Sequence, residues 1–254
     1  MFLCNVKTNK KMNKFTKAIA AIMLIVAAIF VVGCNKPDEP NHGACVSGNI
    51  DGHDYVDLGL PSGTLWATCN VGAEVPEGHG DYFAWGEVEP KSNYNWNTYK
   101  YCNDGSSNQL TKYCICSDCG YDGFVDSLTI LQIEDDAATA NWGTGWCIPT
   151  YDQWRELFSN ISGTWIKQND MDGFLFTSSN GNSLFLPASG VGMSSGPINV
   201  GRVGYYWSSS LDAGSDNMTS DMAWHYFFNE HSVSGIWYEP RMSGLAIRAV
   251  ASGN

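Results

Sequence analysis

Short apolar and aromatic runs, separated by Gly, Asn and Ser, make up most of residues 53–254. Gly, Asn and Ser favour turns, and an apolar run of only about four to eight residues suits a strand better than a helix. Few segments show the spacing of apolar residues that a helix needs. The pattern therefore predicts an α+β domain with short antiparallel strands, two short helices and long loops.

Two segments do carry helical signals. Thr150 is followed three residues later by Gln153, which is the pattern of a capping box. Apolar residues then recur at helical spacing: Trp154, Leu157, Phe158 and Ile161. This predicts an amphipathic helix over about 150–161. A second helix is expected around 128–141, where apolar residues lie beside acidic ones: Leu128, Leu131 and Ala138.

Residues 173–186 carry the signal of a β-hairpin. The dipeptide Asn180-Gly181 stands between two strand-like runs. A type I′ turn needs positive φ at both central residues, and Asn-Gly is its preferred sequence. We therefore predict two paired strands joined by a type I′ turn at this dipeptide.

The first 33 residues resemble a bacterial lipoprotein signal peptide. Five lysines precede an unbroken apolar run over residues 18–32, and Gly33-Cys34 with a Pro-containing polar stretch follows. The run is too short to span a bilayer comfortably and has the length of a signal-peptide core. Gly33-Cys34 resembles a lipobox, whose Cys receives a diacylglycerol after cleavage. A buried core helix is the alternative interpretation, which the flanking lysines disfavour.

These features divide the chain into three parts. Residues 1–33 are the predicted signal peptide, residues 34–52 the lipidated Cys34 with a flexible tether, and residues 53–254 one domain. The polar residues after Cys34 resemble the acidic signals that carry Bacteroidetes lipoproteins to the outer face. The expected location is the cell outer membrane, lipid-anchored and facing the exterior.

Charge narrows the choice of partners. The chain has 14 Lys and Arg against 26 Asp and Glu, and removal of residues 1–33 takes away five lysines and no acids. The mature chain then has 9 basic and 26 acidic residues, a net charge of −17. Nucleic acids are bound by clustered Lys and Arg, so no nucleic-acid partner is expected. Attachment to the membrane must then come from acyl chains at Cys34.

The cysteines offer two interpretations. Seven remain after Cys4 and Cys34 are set aside, and Cys114, Cys116 and Cys119 form the tightest cluster. A structural zinc site would need a fourth ligand, such as Cys102 or a His. The spacing departs from a standard zinc ribbon, and an exported chain can form disulfides. One local disulfide with leftover thiols is therefore favoured, with at least one thiol unpaired.

Signals for catalysis are weak. The sequence has no His-Glu-x-x-His motif. The serines 208–210 follow a Trp, and such serines more often hydrogen-bond a loop than act as nucleophiles. Asp135 and Asp136 could form the pair of acids that a glycosidase needs. Because they are adjacent they do not share a helix face, and they suit a helix surface instead. No catalytic residue and no cofactor are expected.

A series of motifs in fixed order runs through residues 53–250: Tyr55–Ala73, Gly80–Glu87, Asp135–Ala138, Asn141-Trp142, Trp146–Thr150, Leu184–Ala188, Tyr206–Ser210, Arg241 and Gly244–Arg248. Together they resemble the Fibrobacter succinogenes major paralogous domain, which is frequent in Bacteroidetes lipoproteins. The resemblance implies a C-type-lectin-like fold, shared with formylglycine-generating enzymes and with the variable proteins of diversity-generating retroelements. In such a domain the C-terminal segment displays loops on a rigid scaffold.

Two metal-dependent activities of that fold are not expected here. The copper-binding cysteines of formylglycine-generating enzymes lie in the C-terminal part, and this chain has no Cys after Cys147. C-type lectins bind calcium with Glu-Pro-Asn or Gln-Pro-Asp and a Trp-Asn-Asp. Here Glu239-Pro240 is followed by Arg241, whose charge opposes a cation, and Trp-Asn-Asp is absent.

The aromatic stretch 222–241 is the candidate binding surface, because the variable proteins display their ligand-binding residues in this region. Alternation along a strand places residues 224, 226 and 228 on one face and 225 and 227 on the other. Exposed aromatic side chains supply contact area at low entropic cost. About half of these aromatic residues are expected in the core. The candidate ligand-binding residues are Trp224, Tyr226, Phe228, His231, Trp237, Tyr238 and Arg241.

These observations predict a non-enzymatic surface lipoprotein that binds a glycan or protein ligand through its C-terminal aromatic loops. An adhesion or pilus-tip-type assembly subunit, held by the edges of its fold, is the alternative. An enzyme of unknown class on the fold of formylglycine-generating enzymes ranks third.

Overall fold

The structure is a computed structural model, and it describes residues 46–212 and 220–253. These residues form a strand-rich α+β domain with antiparallel sheets, few short helices and long loops. Cys34, the predicted signal peptide and most of the predicted tether lie outside the described residues.

The first sheet joins the two ends of the described domain. It has the order β1-β2-β3-β10, from strands Gly48–Ile50, His53–Asp57, Thr64–Ala67 and Val250–Ser252. All three pairings are antiparallel, and Val250 lies opposite Trp66. Strand β1 falls within the range 34–52 that the sequence assigned to the tether. The ordered domain therefore begins before residue 53.

The second sheet contains the predicted hairpin. It has the order β4-β5-β6, from strands Gly163–Gln168, Met171–Thr177 and Ser183–Pro187. Strands β5 and β6 pair antiparallel across Asn180-Gly181, which confirms the hairpin. The prediction of a type I′ turn is wrong. Such a turn needs a positive φ at both central residues, and Gly181 has a φ of 88° whereas Asn180 has no positive φ. The N–H of Ser178 donates to the carbonyl of Asn182 at 2.9 Å, so the loop is longer than two residues.

The third sheet carries the aromatic stretch. It has the order β7-β8-β9, from strands Val203–Leu211, Met222–Asn229 and Ser232–Pro240. Strand β8 is central and antiparallel to both neighbours, with Tyr226 between Tyr206 and Ile236. The prediction of loops over 222–241 is therefore wrong for most of this range, which is strand.

The helix predicted over about 150–161 is present as α2, Tyr151–Asn160. Thr150 is its N-cap, and Thr150 and Gln153 form the reciprocal hydrogen bonds of a capping box. Trp154 and Leu157 are buried on its inner face. The capping box and the apolar spacing are both local signals, so the sequence predicts this element closely.

The helix expected around 128–141 is shorter than predicted. The α-helix in this region, α1, spans Ala137–Trp142, and a 3-10 turn at Ile133–Asp135 precedes it. Asp136 caps α1 by accepting a hydrogen bond from the N–H of Thr139 at 2.9 Å. The carbonyl of Ser209 accepts from the N–H of Leu131 at 2.9 Å, so the residues before the turn are extended along strand β7.

Asp135 and Asp136 are buried, which contradicts their expected place on a helix surface. The hydroxyls of Tyr101 and Tyr113 donate to the Asp135 carboxylate, and Lys112 lies 2.6 Å from it. Burial opposes ionisation of Asp135, but these donors outweigh it and lower its pKa. Asp136 accepts from backbone N–H groups as a helix cap. Both carboxylates therefore have structural roles.

The third sheet contributes to both hydrophobic cores. One core surrounds α2 and includes Trp154, Tyr206 and Tyr226. The other includes Trp207 and Trp85, which lie among the aromatic residues of the long loops. Consecutive residues of a strand point to opposite faces, so Tyr206 and Trp207 enter different cores.

Candidate ligand-binding surface

Two of the predicted ligand-binding residues belong to the core beneath β8. Tyr226 and Phe228 are both 0% exposed. The ring of Tyr226 stacks on Phe158 of α2, with centroids 3.5 Å apart and an interplanar angle of 8°. The alternation predicted along the strand is confirmed, but the face with residues 226 and 228 points toward α2. Neither side chain can contact a ligand, so both assignments are wrong.

Arg241 is also a core residue and not a ligand contact. Its side chain is 0% exposed. The guanidinium donates to the hydroxyl of Tyr99 at 2.9 Å and to three backbone carbonyls, those of Lys112, Tyr113 and Ser220. Its carbon lies 4.9 Å from the ring centroid of Trp85. Within the described residues, no carboxylate forms an ion pair with Arg241. Carbonyls and aromatic faces therefore hold this buried charge.

The remaining predicted residues reach the surface. Trp237 is 53% exposed and Tyr238 is 48% exposed, His231 is exposed, and Trp224 is partly exposed. Trp224 lies opposite Tyr238 in the register, with ring centroids 6.2 Å apart. Tyr151, at the start of α2, contacts Trp224 with centroids 5.1 Å apart. We call Tyr151, Trp224 and Tyr238 the aromatic rim.

Trp237 points away from the aromatic rim, because it neighbours Tyr238 in the same strand. It lies opposite His225, which is 3% exposed and whose Nδ1 has no hydrogen-bond partner. Burial lowers the pKa of His225 to about 4. Strand β9 therefore presents one exposed aromatic ring on each face of the sheet, beside a histidine that stays neutral at physiological pH.

Cavities open at the surface of the described residues, and two of them contain an aromatic ring beside charged side chains. The first, of about 330 Å³, is lined by Gly52, His53, Asp54, Thr68, Cys69, Ala73, Glu74 and Trp142. The second, of about 450 Å³, is lined by Trp165, Asp172, Gly201, Arg202, Asn229, Glu230 and His231. In the first cavity the ring of His53 stacks on Trp142, with centroids 3.9 Å apart and an angle of 13°. The second brings together His231 and residues that the sequence did not single out.

The clustered cysteines form neither predicted arrangement in this structure. All six cysteines within the described residues are free thiols, so the favoured local disulfide is absent here. The same residues contain no group of three or more His, Cys, Asp or Glu side chains placed to hold a metal ion. Burial raises the pKa of Cys114, and raises that of Cys119 to about 12.

The serines of the sequence 208–210, and Ser194, have backbone or amide hydrogen-bond partners. Ser210 Oγ accepts from the N–H of Tyr151 at 3.1 Å, and Ser208 Oγ accepts from the N–H of Ser210 at 3.1 Å. The interpretation of these serines as hydrogen-bonding residues is confirmed. Residues 192–196 match the letters Gly-x-Ser-x-Gly, but they form a turn that does not join a strand to a helix. Ser194 donates to Asn93 Oδ1.

Within the described part of the chain, no helix is long and apolar enough to cross a membrane. Comparison with protein-family models, with curated proteins and with solved structures finds no match.

Proposed function

We propose that this chain is a non-enzymatic surface lipoprotein that binds a glycan or protein ligand at its third sheet. The exposure of Trp237 and Tyr238 is the observation that carries the proposal. Most aromatic residues in the described part of the chain are buried, whereas these two lie on the edge strand β9, with His231 just before it and Trp224 on the neighbouring strand. Tyr226, Phe228 and Arg241 support this surface from within.

The proposed surface has the chemistry of a recognition site. Tyr and Trp side chains have few rotatable bonds, so they supply large contact areas at a low cost in entropy. Their rings stack on apolar faces, while the hydroxyl and indole N–H groups form hydrogen bonds. The aromatic rim is already packed together, because Trp224 contacts both Tyr151 and Tyr238. Such packing reduces the ordering that a ligand must impose.

The proposed attachment to the outer membrane rests on the sequence around Cys34. The resemblance to the Fibrobacter succinogenes major paralogous domain, and hence to the C-type-lectin-like fold, belongs to the same proposal. A strand-rich α+β domain with short helices is compatible with it. Surface display would present the third sheet to glycans or proteins outside the cell.

A glycan and host-protein array with the soluble 35–254 fragment tests the proposal. We expect binding to at least one array component, and the double variant Trp237→Ala/Tyr238→Ala should lose it. The matched control is Tyr121→Ala/Phe124→Ala, which removes two aromatic side chains that are 47% and 38% exposed elsewhere. Binding that survives the first double variant, or that is lost equally in both, would show that the third sheet is not the ligand-binding surface.

An adhesion or pilus-tip-type assembly subunit is the second candidate, and the position of β9 favours it. Strand β9 is at the end of the sheet order β7-β8-β9. A strand at the end of a sheet can pair with a strand from another chain. Assembly with its own copies predicts multimers of the fragment in size-exclusion chromatography at high concentration. A recognition module without this role stays monomeric.

A further inference from the structure

The second cavity has the composition of a sugar-binding site, and it is separate from the aromatic rim. We call it the Trp165 cavity, lined by the seven residues given above. Trp224 of the rim and Asn229 of the cavity are five residues apart in β8, which corresponds to about 17 Å along a strand. The volume of about 450 Å³ lies within the ~300–1,000 Å³ that is usual for small-molecule sites.

Trp165 gives the cavity an aromatic wall. The residue is partly buried on β4. Its ring contacts Phe174 and Phe228 with centroids 6.5 and 6.2 Å apart, both at an angle of 67°. These contacts fix the ring, and none of them is a parallel stack. In the first cavity, by contrast, His53 already stacks on Trp142. Trp165 is therefore the better candidate to stack on the C–H face of a pyranose ring.

The polar groups around Trp165 match the hydroxyls of a sugar. The polar residues that line the cavity are Asp172 and Glu230, which carry carboxylates, Asn229 with an amide, Arg202 with a guanidinium and His231 with an imidazole. Carboxylates accept hydrogen bonds from hydroxyl groups, and guanidinium groups donate to them. Charged partners make these bonds stronger than neutral ones.

Part of this polar shell is already ordered by the protein. Asn229 Oδ1 accepts from the N–H of His231 at 2.9 Å, which orients the turn between β8 and β9. Asp172 pairs with Lys167 at 3.1 Å. Within the described residues, Arg202 and Glu230 form no ion pair. Their charged groups are therefore available to a ligand.

The balance of charges selects a neutral ligand. Two acidic residues, one Arg and one His line the cavity, and Lys167 pairs with Asp172, so no excess of positive charge is present. The net charge of −17 calculated for the mature chain also repels anions. An anionic sugar would need a more basic site.

We infer that the Trp165 cavity binds one neutral pyranose unit of a glycan, with Trp165 as the stacking platform. Arg202 and Glu230 bind its hydroxyls. This inference rests on the proposed function in the case where the ligand is a glycan. It adds a second glycan-binding site on the same domain. A chain of several sugars can then extend from the cavity toward the aromatic rim.

The test uses the full chain, purified in a nonionic detergent without a sugar headgroup. The probes are the methyl glycosides of glucose, galactose, mannose and N-acetylglucosamine, with N-acetylneuraminic acid as the anionic probe. Binding is measured by saturation-transfer NMR and by titration of tryptophan fluorescence. We expect at least one neutral glycoside to bind. Trp165→Ala should weaken its binding by about tenfold or more, the equivalent of one lost strong contact.

The variants separate a binding role from a folding role. Trp165→Ala removes a partly buried ring, so Glu230→Ala and Arg202→Ala provide a second measurement at exposed positions. Each should weaken binding by about threefold to tenfold with an unchanged melting temperature. Trp165→Phe should restore part of the binding. The matched control, Tyr121→Ala/Phe124→Ala, removes two exposed aromatic side chains outside both sites and should leave monosaccharide binding unchanged. Trp237→Ala/Tyr238→Ala is measured beside it to report on the third sheet.

Several results would overturn the inference. They are the absence of binding by every probe, binding of N-acetylneuraminic acid alone, and unchanged binding in a folded Trp165→Ala variant. Unchanged binding in both Glu230→Ala and Arg202→Ala would do the same. Loss of binding only in Trp237→Ala/Tyr238→Ala would place the sugar at the third sheet, which leaves the proposed function intact. Glycoside binding by a chain that binds nothing on the array would instead support the cavity and count against the third sheet.

Discussion

The burial of His225 makes the stability of the domain depend on pH in a direction that can be worked out. Burial lowers the pKa of this imidazole from 6.5 to about 4. Between these values the unfolded chain binds a proton at this site and the folded chain does not. The stability that the domain gains from keeping His225 neutral is fully present above pH 6.5 and is lost as the pH falls toward 4.

The size of the effect follows from the two pKa values. The difference between 6.5 and about 4 corresponds to ~3 kcal/mol in the free energy of unfolding when the pH has fallen below both. At pH 5 the loss relative to pH 7 is ~2 kcal/mol. A domain of this length should then melt at a temperature lower by roughly 4–8 °C.

Urea unfolding of the wild type and of His225→Phe at several pH values tests this reasoning. Burial also raises the pKa of Glu239 on the neighbouring strand, so the contribution of Glu239 to the free energy of unfolding falls as the pH rises. The difference between the two proteins removes this common contribution. We expect the wild type to lose ~2 kcal/mol more than His225→Phe between pH 7 and pH 5. The control Trp237→Phe changes the residue opposite His225 without removing a titratable group, and it should keep the slope of the wild type.

The reasoning is refuted if the wild type and His225→Phe lose the same stability between pH 7 and pH 5. An equal slope would mean that His225 titrates alike in the folded and unfolded chains. The imidazole would then be accessible to water and not enclosed beside Trp207.

Three further perturbations have defined outcomes. Arg241→Ala leaves four oxygen acceptors without their donor. At ~1 kcal/mol for each acceptor, the free energy of urea unfolding should fall by ~4 kcal/mol, and a loss below ~1 kcal/mol would contradict the structural role of these hydrogen bonds. Gly204→Ala places a Cβ against the ring of Phe228 and should cost ~1–3 kcal/mol in the same assay, whereas an unchanged midpoint would contradict this contact. Cys34→Ala should move the protein from the membrane to the soluble fraction, and unchanged fractionation would count against the lipid anchor.

Local signals predicted the elements that depend on neighbours in sequence. The capping box at Thr150 lies next to the helix that it starts, and Asn180-Gly181 lies between the strands that it joins. The alternation along β8 was also predictable, because it follows from strand geometry. Which face of β8 is buried was not predictable, because this depends on packing against Phe158 of helix α2. Helix α1 is shorter than predicted because Asp136 is its N-cap, so the helix begins only at Ala137.

Contacts between distant segments explain the failures at the site. Arg241 is enclosed by residues more than a hundred positions earlier in the chain, such as Tyr99 and Lys112. Its charge suggested a surface position, and only the fold reveals the carbonyls that hold it. The Trp165 cavity similarly combines four separate segments, of which the sequence singled out only His231. No local pattern in the sequence marks such a convergence.

The excess of aromatic residues has a structural explanation that weakens its value as a marker of binding. Four largely buried tryptophans donate their indole N–H to backbone carbonyls of distant segments: Trp85 to Ser208, Trp146 to Ile50, Trp154 to Trp207 and Trp207 to Phe83. A domain with long loops must satisfy many buried carbonyls that no strand or helix pairs. Tryptophan provides apolar area and a donor in one side chain. Aromatic density therefore follows first from the loops. What distinguishes Trp237 and Tyr238 is exposure on the edge strand β9, next to Trp224 on strand β8.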